Sequence, residues 1–242
     1  MKQIILFAIV FMLLLTPVFA LSNQPEVLVY PQPDSPVQLS SVVSKWRKST
    51  DNAGLEWNML TIEFSSQNVS DKAIRAYSIR HFSGEFDKDV GSVQFSFTLK
   101  DSGTFNLNHP SNEPNEQIGE QGFLKPPESI KLAVDFVEFT DGRVWGKDIS
   151  NSAEQSSGVK AGIKTALERL KETSRQSGIE AAIKTLDEIK ELLLPDDKSV
   201  TWKRGFKGGV NNARHHIKRA YEKAGIKGAE NELQKLFDIS FK

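Results

Sequence analysis

The spacing of apolar side chains changes near residue 150, and this change constrains the fold more than any other feature of the chain. Between Leu55 and Trp145 apolar residues tend to recur at every second position, the period of strands that bury one face. After the polar stretch 148–157 they recur every three to four residues, as in amphipathic helices. The sequence therefore predicts an α+β protein, with a strand domain over residues 21–150 and a helical domain over residues 151–242.

The strand half contains about seven short apolar runs separated by turn-forming residues, which is typical of an antiparallel β-sandwich. The runs cover residues 26–30, 37–43, 57–64, 74–82, 93–99, 132–136 and 144–145. Asp141-Gly142 is predicted to form a two-residue hairpin turn with positive φ at both positions. The polar segment 106–122 is predicted to be a long exposed loop, suited to binding a partner. The clearest run predicts four side chains that face one core: Val93, Phe95, Phe97 and Leu99.

The helical half is predicted to form an antiparallel helical bundle or hairpin tail. Its first helix carries an apolar stripe over residues 159–170. Its second helix begins with a capping box of Ser177 and Glu180 and ends at Pro195. A short final helix is expected around residues 233–237.

The third predicted helix covers residues 199–224 and ends at a glycine cap, Gly225. Gly205, Gly208 and Gly209 weaken a helix, each by up to about 1 kcal/mol relative to alanine. An unbroken apolar stripe nevertheless predicts that the helix continues through them. Its inward side chains are predicted to pack on the preceding helices: Trp202, Phe206, Val210, Ile217 and Tyr221.

The chain opens with the features of a removable secretion signal. Lys2 supplies a positive charge, residues 4–15 form an apolar run that Pro17 ends, and Val18-Phe19-Ala20 fits a cleavage site. About twelve apolar residues are fewer than the roughly twenty that a spanning helix needs. We therefore expect cleavage after Ala20, a secreted or periplasmic location, and no transmembrane segment in the mature chain.

The residue types give little support to catalytic or metal chemistry. The chain has no cysteine and four histidines, and no serine lies in a Gly-x-Ser-x-Gly motif. Asp135 and Glu138 have opposite strand parity, so they would face opposite sides and could not flank one bond unless a bulge intervenes. Alternation predicts polar residues at these positions, so both are expected on solvated strand faces. We predict no catalytic residue, no cofactor and no metal site. Two weak sets of calcium ligands stay open: Asp87 with Asp89, and Glu113, Glu116 and Glu120 with His109.

Charge is unevenly distributed although the formal net charge is zero. Residues 21–150 carry 12 basic and 18 acidic side chains, and residues 201–242 carry 10 and 4. On a helical wheel of residues 210–224, a basic face lies opposite the apolar stripe of the third helix. It would be either a solvated surface or a site for an anionic membrane surface, an envelope polymer or a protein. Nucleic acid is not expected outside the cell. The residues of this candidate site are Lys218, Arg219, Lys223, His215 and His216.

The segment Phe123–Gly146, FLKPPESIKLAVDFVEFTDGRVWG, resembles part of the immunoglobulin-like β-sandwiches of uncharacterised exported bacterial proteins. The resemblance covers about residues 55–148, implies that fold, and brings no catalytic residue. We expect an exported, non-catalytic binding or structural module of the cell envelope or exterior. Two alternatives stay open, a carbohydrate- or peptide-directed hydrolase that uses acidic residues and a secreted protease inhibitor.

Overall fold

A computed structural model of the protein describes residues 25–87, 92–97, 116–185 and 194–240. The described strands are β1 (Glu26–Val29), β2 (Val37–Thr50), β3 (Glu56–Asn68), β4 (Ile74–Phe82), β5 (Ser92–Phe97), β6 (Glu116–Phe123), β7 (Ser129–Phe139) and β8 (Val144–Trp145). The described helices are α1 (Ser152–Ser177), α2 (Ile179–Lys184) and α3 (Val200–Ser240). The predicted α+β class is confirmed. The predicted signal, residues 1–20, lies outside the described residues, and the division into two domains stays a prediction.

The strands form two sheets. The first has the order β1-β7-β4-β5 with β8 paired to β7, and the second has the order β2-β3-β6. β1 runs parallel to β7, with Glu26 beside Ser129 and Val29 beside Leu132, whereas the other described pairs are antiparallel. The expected purely antiparallel arrangement is therefore wrong for β1. About a hundred residues separate β1 from β7, so no hairpin dictates their relative direction.

The facing sides of the two sheets share one hydrophobic cluster. On β3, Leu60, Ile62 and Phe64 are almost fully buried in it, while Thr61 and Glu63 between them are only half-buried. This is the alternation that predicted the strand, because successive side chains of a strand point to opposite faces. β4 and β7 supply most of the opposite wall of the cluster.

β4 and β7 are buried on both faces, because α1 covers the side of the first sheet that turns away from the second sheet. Ser152 Oγ on α1 donates a hydrogen bond of 2.8 Å to Ser78 Oγ on β4. Phe95 on β5 lies beside Ser78 on β4, and its side chain packs against the hydrophobic cluster of the helices. The prediction that it faces the core between the sheets is therefore wrong, since alternation alone does not tell which side is covered. Val93 is half-buried, and the Phe97 side chain and Leu99 lie outside the described residues.

α1 and α3 cross in close contact through glycines that stand four residues apart on each helix. A Cβ at Gly158 would lie 2.2 Å from the carbonyl oxygen of Trp202, and a Cβ at Gly162 would lie 2.1 Å from that of Phe206. The contacts advance in the same direction along both chains, so the two helices run parallel. Small residues allow backbones to approach this closely. The predicted antiparallel packing depends on the second helix, of which only Ile179–Lys184 is described, and stays a prediction.

α3 confirms the helix predicted for residues 199–224, including its passage through the three glycines. Backbone angles become non-helical at Ala224 and at Gly225, where φ is 62°, and a second helical part follows with Leu233 and Leu236 buried. Gly225 therefore interrupts the helix where the cap was predicted. The five predicted inward side chains all belong to or pack against the helical cluster: Trp202, Phe206, Val210, Ile217 and Tyr221.

The predicted exposed loop over residues 106–122 is wrong for its last part. Residues 116–123 form β6, which pairs with β3 from Asn58 to Phe64. A Cβ at Gly122 would lie 3.1 Å from Cε3 of Trp57, so the missing side chain lets the indole lie close to β6. Residues 106–115 lie outside the described part of the chain.

The turn after β7 has three residues instead of the predicted two. The Phe139 N–H donates to the Arg143 carbonyl at 2.9 Å, and the Gly142 N–H donates to the Phe139 carbonyl at 3.0 Å. Only Gly142 has a positive φ, 84°, so Asp141 does not need the left-handed conformation that a two-residue turn would impose.

The predicted capping box at the start of the second helix is also wrong. Ser177 is the last residue of α1, and the N-cap of α2 is Gly178, which makes no side-chain capping hydrogen bond. Gly178 has a φ of 83°. This left-handed backbone ends α1 at once and leaves no room for a separate cap. Residues 186–193, up to the predicted stop at Pro195, lie outside the described part.

Candidate functional site

A row of exposed basic side chains runs along the first part of α3, opposite its buried residues. Lys218, Arg219, Lys223 and His215 are all exposed to solvent. We call these four residues the basic face. Their orientation agrees with the helical wheel, because Phe206, Val210 and Ile217 occupy the buried side.

His216, also predicted for this face, is half-buried and lies toward the second part of α3. Its Nδ1 is 3.3 Å from Oε1 of Glu232, beyond the break at Gly225. Its ring meets that of His215 edge-on, with 6.4 Å between centroids. Neighbouring side chains on a helix diverge by about 100°, so His216 points away from His215, whereas Lys223, seven residues further on, lies within about 20° of His216 around the axis.

The row of cations continues toward the start of α3. Arg204 and Lys207 are exposed, and the helical repeat places both within about 40° of Lys218 around the axis. The sequence analysis missed Arg204 and Lys207 because the helical wheel started at Val210. A wheel extended by two helical turns toward the N-terminus would have included both. Lys203, by contrast, directs its Nζ to the Asp196 carbonyl at 3.3 Å.

These cations have no neutralising partner among the described residues, unlike several basic residues of the strand half. Lys45 lies 2.5 Å from Glu63, and Arg47 forms a two-pronged contact of 2.6 Å with Glu120. Residues 200–223 contain seven Lys or Arg and a single acidic residue, Glu222. Within the described residues, five of these seven form no ion pair: Arg204, Lys207, Lys218, Arg219 and Lys223.

Packing on the opposite side of α3 fixes the direction of the basic face. Trp202 and Phe206 stack with 5.2 Å between ring centroids. A Cβ at Gly209 would lie 2.1 Å from the carbonyl oxygen of Val159, so the helix backbone rests on α1. A rotation of α3 would therefore bring side chains into the space that only glycine fits.

Asp135 and Glu138 form the other cluster of titratable groups. Their predicted position on solvated strand faces is wrong, because Asp135 is 0% and Glu138 is 4% exposed. The register of β7 against β4 shifts at this point and leaves Asp135 as an extra residue. Such a bulge changes the parity of the strand, which brings both carboxylates beside α1 and the loop before it.

The Asp135 carboxylate holds the loop that leads into α1. It accepts hydrogen bonds from the backbone N–H groups of Ile149 at 3.1 Å and Ser150 at 2.9 Å. Nε of the fully buried Arg80 lies 3.9 Å away. These contacts compensate the cost of burying the charge, and they commit Asp135 to holding the sheet and the loop together.

The Glu138 carboxylate joins β7 to α1. It accepts a hydrogen bond of 2.5 Å from Ser156 Oγ and one of 2.8 Å from Lys160 Nζ. Arg75 NH1 lies 3.7 Å from the same oxygen that Lys160 contacts. The carboxylate therefore has a basic and a hydroxyl partner on the helix and a second basic partner on β4.

Asp148 caps the start of α1. Its carboxylate accepts hydrogen bonds from the backbone N–H groups of Ser152 at 2.5 Å and Ala153 at 3.1 Å. Burial is the main cause that raises the pKa of Asp148 above its ordinary value, and the nearby charge of Asp135 adds to this, while the two N–H groups act against it. Both carboxylates are occupied by backbone donors, so the raised pKa has a structural origin.

The other residues considered for chemistry are dispersed. His81 is buried, with Nε2 at 2.9 Å from Gln121 Oε1. Asp87 pairs with Lys147 at 2.7 Å, and Glu120 pairs with Arg47. The remaining predicted calcium ligands, Asp89, His109, Glu113 and the Glu116 side chain, lie outside the described residues.

In the part of the chain that the structure describes, no group of three or more His, Asp or Glu side chains is arranged to hold a metal ion. Among the same residues, no helix has the length and apolar character needed to cross a membrane.

No protein-family model matches this chain, and comparisons with curated proteins and with solved structures gave no match.

Proposed function

We propose that this chain is an exported, non-catalytic binding or structural module of the cell envelope or exterior, and that its basic face binds an anionic partner. The observation that carries the proposal is the row of exposed cations on α3 that form no ion pair within the described residues. At physiological ionic strength an exposed charge acts over only about 8 Å. Binding therefore requires several cations close together, and Lys218, Arg219 and Lys223 lie within two turns of one helix.

In this proposal the two sheets form an immunoglobulin-like β-sandwich over residues 21–150, and residues 151–242 form a helical domain that displays the basic face. Separate hydrophobic clusters between the sheets and among the helices support this division. The signal over residues 1–20 would be cleaved after Ala20, which delivers the mature chain to a compartment where anionic surfaces and polymers are accessible.

A hydrolase that uses acidic residues is the main rival. The buried positions of Asp135 and Glu138, and the hydrogen bonds that occupy them, favour a structural role for both. The protease-inhibitor alternative relied on an exposed loop over residues 106–122, of which residues 116–122 belong to β6. Both observations support the binding module.

The test is a variant in which Lys218, Arg219 and Lys223 are all replaced by Gln. Each cation near an anionic surface contributes about 1 kcal/mol, so the variant should lose about 3 kcal/mol, or roughly a hundredfold in affinity. Binding of the mature chain would be measured on vesicles rich in phosphatidylglycerol and on polyphosphate, over a range of salt concentrations. The free energy of unfolding should change by less than about 0.5 kcal/mol, since the three side chains are exposed.

A matched control replaces Lys48, Lys125 and Lys184 by Gln. These residues are also exposed, they lie outside α3, and the net charge changes by the same amount. The control should bind like the native protein. Equal loss of binding in both variants, or binding that survives high salt, would eliminate the basic face as the site.

A further inference from the structure

We propose that the partner is an extended polyanion, a chain with repeated phosphate, sulfate or carboxylate groups, which lies along α3 and contacts Arg204 and Lys207 as well as the basic face. This inference rests on the proposed function and adds the chemical class of the partner. It also adds two residues to the site.

The length of the row is the first argument. A helix rises about 1.5 Å per residue, so about 21 Å separate Arg204 from Lys218 and about 28 Å separate Arg204 from Lys223. No single small anion reaches both ends of this row. A flexible anionic chain does so at no extra cost in ordering the protein, because packing against α1 already fixes α3.

The narrowness of the row is the second argument. Arg204, Lys207 and Lys218 lie within about 60° around the helix axis, and the exposed Asn211 lies between them. These three cations thus follow one ridge of a convex surface, and the other cations of the basic face lie up to about 140° from Lys218 around the axis. A linear chain contacts the three at once and reaches the others by winding partly around α3, and the amide of Asn211 offers hydrogen bonds to the same chain.

The buried side of α3 argues against a membrane surface. Helices that lie in a membrane interface insert an apolar face among the lipids. Here that face is used within the protein, with Phe206 at 6%, Val210 at 3% and Ile217 at 1% exposure. Only electrostatic attraction would remain for a membrane, whereas a polymer needs nothing more.

Glu222 is the acidic residue on this side of α3. It is exposed between Arg219 and Lys223, and it forms no ion pair within the described residues. A carboxylate at this position repels an anionic chain that follows the row. Glu222→Gln should therefore raise the affinity for the chain several-fold at low salt, whereas Glu180→Gln on α2 should leave it unchanged.

The experiment compares tripolyphosphate with a long polyphosphate whose extended length exceeds about 30 Å, both titrated into the mature chain. The long chain should bind far more tightly. The double variant Arg204→Gln/Lys207→Gln should lose at least about tenfold in affinity for the long chain. Its plot of log K against log salt should become shallower by about 1.4, for two contacts at about 0.7 each. Lys125→Gln/Lys184→Gln is the charge-matched control, and it should behave like the native protein.

The outcomes separate this inference from the proposed function. Equal affinity for the short and long chains, or an unchanged affinity in the double variant, overturns the extended site but leaves the basic face. Binding to anionic vesicles that polyphosphate does not displace assigns the face to a membrane and also overturns the inference alone. Failure of the native protein to bind both polyphosphate and anionic vesicles at low salt overturns the inference and the proposed function together.

Discussion

The close crossing of α1 and α3 can be tested at two adjacent glycines of the same helix. A Cβ at Gly209 would lie 2.1 Å from the carbonyl oxygen of Val159, whereas a Cβ at Gly208 would meet nothing within 4 Å. Neither glycine has a positive φ, so alanine suits both backbone conformations. The two substitutions therefore differ only in what the new methyl group touches.

Gly209→Ala should destabilise the protein. Real Cβ atoms essentially never come closer than 3.0 Å to such a neighbour, so the helices must separate by roughly 1 Å at the crossing. Overpacking of this kind costs about 1–3 kcal/mol, and we expect a cost near the upper value because two helix backbones must separate. The higher helix propensity of alanine offsets up to about 1 kcal/mol of this cost. The free energy of unfolding should fall by about 1–2 kcal/mol, measured by urea denaturation monitored by circular dichroism.

Gly208→Ala is the matched control and should stabilise the protein by up to about 1 kcal/mol, because only the propensity gain applies. The opposite signs of the two changes are the distinguishing result. If Gly209→Ala proves as stable as Gly208→Ala, the glycines do not bring the two backbones together and the crossing is wrong.

Two further predictions concern the contacts between the sheets and α1. Glu138→Gln should lower the free energy of unfolding by about 1–3 kcal/mol, because it weakens charge-assisted hydrogen bonds from Lys160 and Ser156. The control Glu172→Gln, in an exposed ion pair on α1, should lower it by less than about 1 kcal/mol. Equal effects of the two substitutions in urea denaturation would contradict the buried contact. Burial raises the pKa of Asp148, so its contribution to stability is present below the unfolded pKa and is lost as the pH rises through the folded pKa. Asp148→Asn should therefore lose less stability than the native protein as the pH rises from about 4, and identical pH profiles would refute this.

The strand half was predictable where a strand buries one face. β3 alternates between buried and half-buried positions, and its period of two was visible in the sequence. β6 was missed because Glu116–Phe123 contains only two large apolar side chains, Ile118 and Phe123, and its place comes from pairing with the distant β3. The orientation of Phe95 was missed for a related reason, since alternation gives two faces but not which face a later helix covers.

The candidate site was predictable in direction but not in extent. The amphipathic pattern of α3 placed Lys218 and Arg219 outward, because the apolar stripe has to face the core. The contact between His216 and Glu232 was not predictable, because Glu232 approaches only after the chain turns at Gly225, a tertiary event that a single helical wheel does not contain. The bulge at Asp135 had no local signal either, and it reversed the expected exposure of Glu138.

The crossing of α1 and α3 explains why two lysines at equivalent positions, Lys160 and Lys207, differ in their ion pairing. Gly158-x-Lys160-x-Gly162 on α1 and Gly205-x-Lys207-x-Gly209 on α3 meet through reciprocal contacts, so Lys160 and Lys207 occupy equivalent positions on the two helices. Lys160 faces the first sheet, where Glu138 binds it at 2.8 Å. The equivalent direction from α3 leads to solvent, and Lys207 is exposed there. The same sequence pattern thus supplies an ion pair with the sheet from α1 and, within the described residues, an exposed lysine without an ion pair from α3.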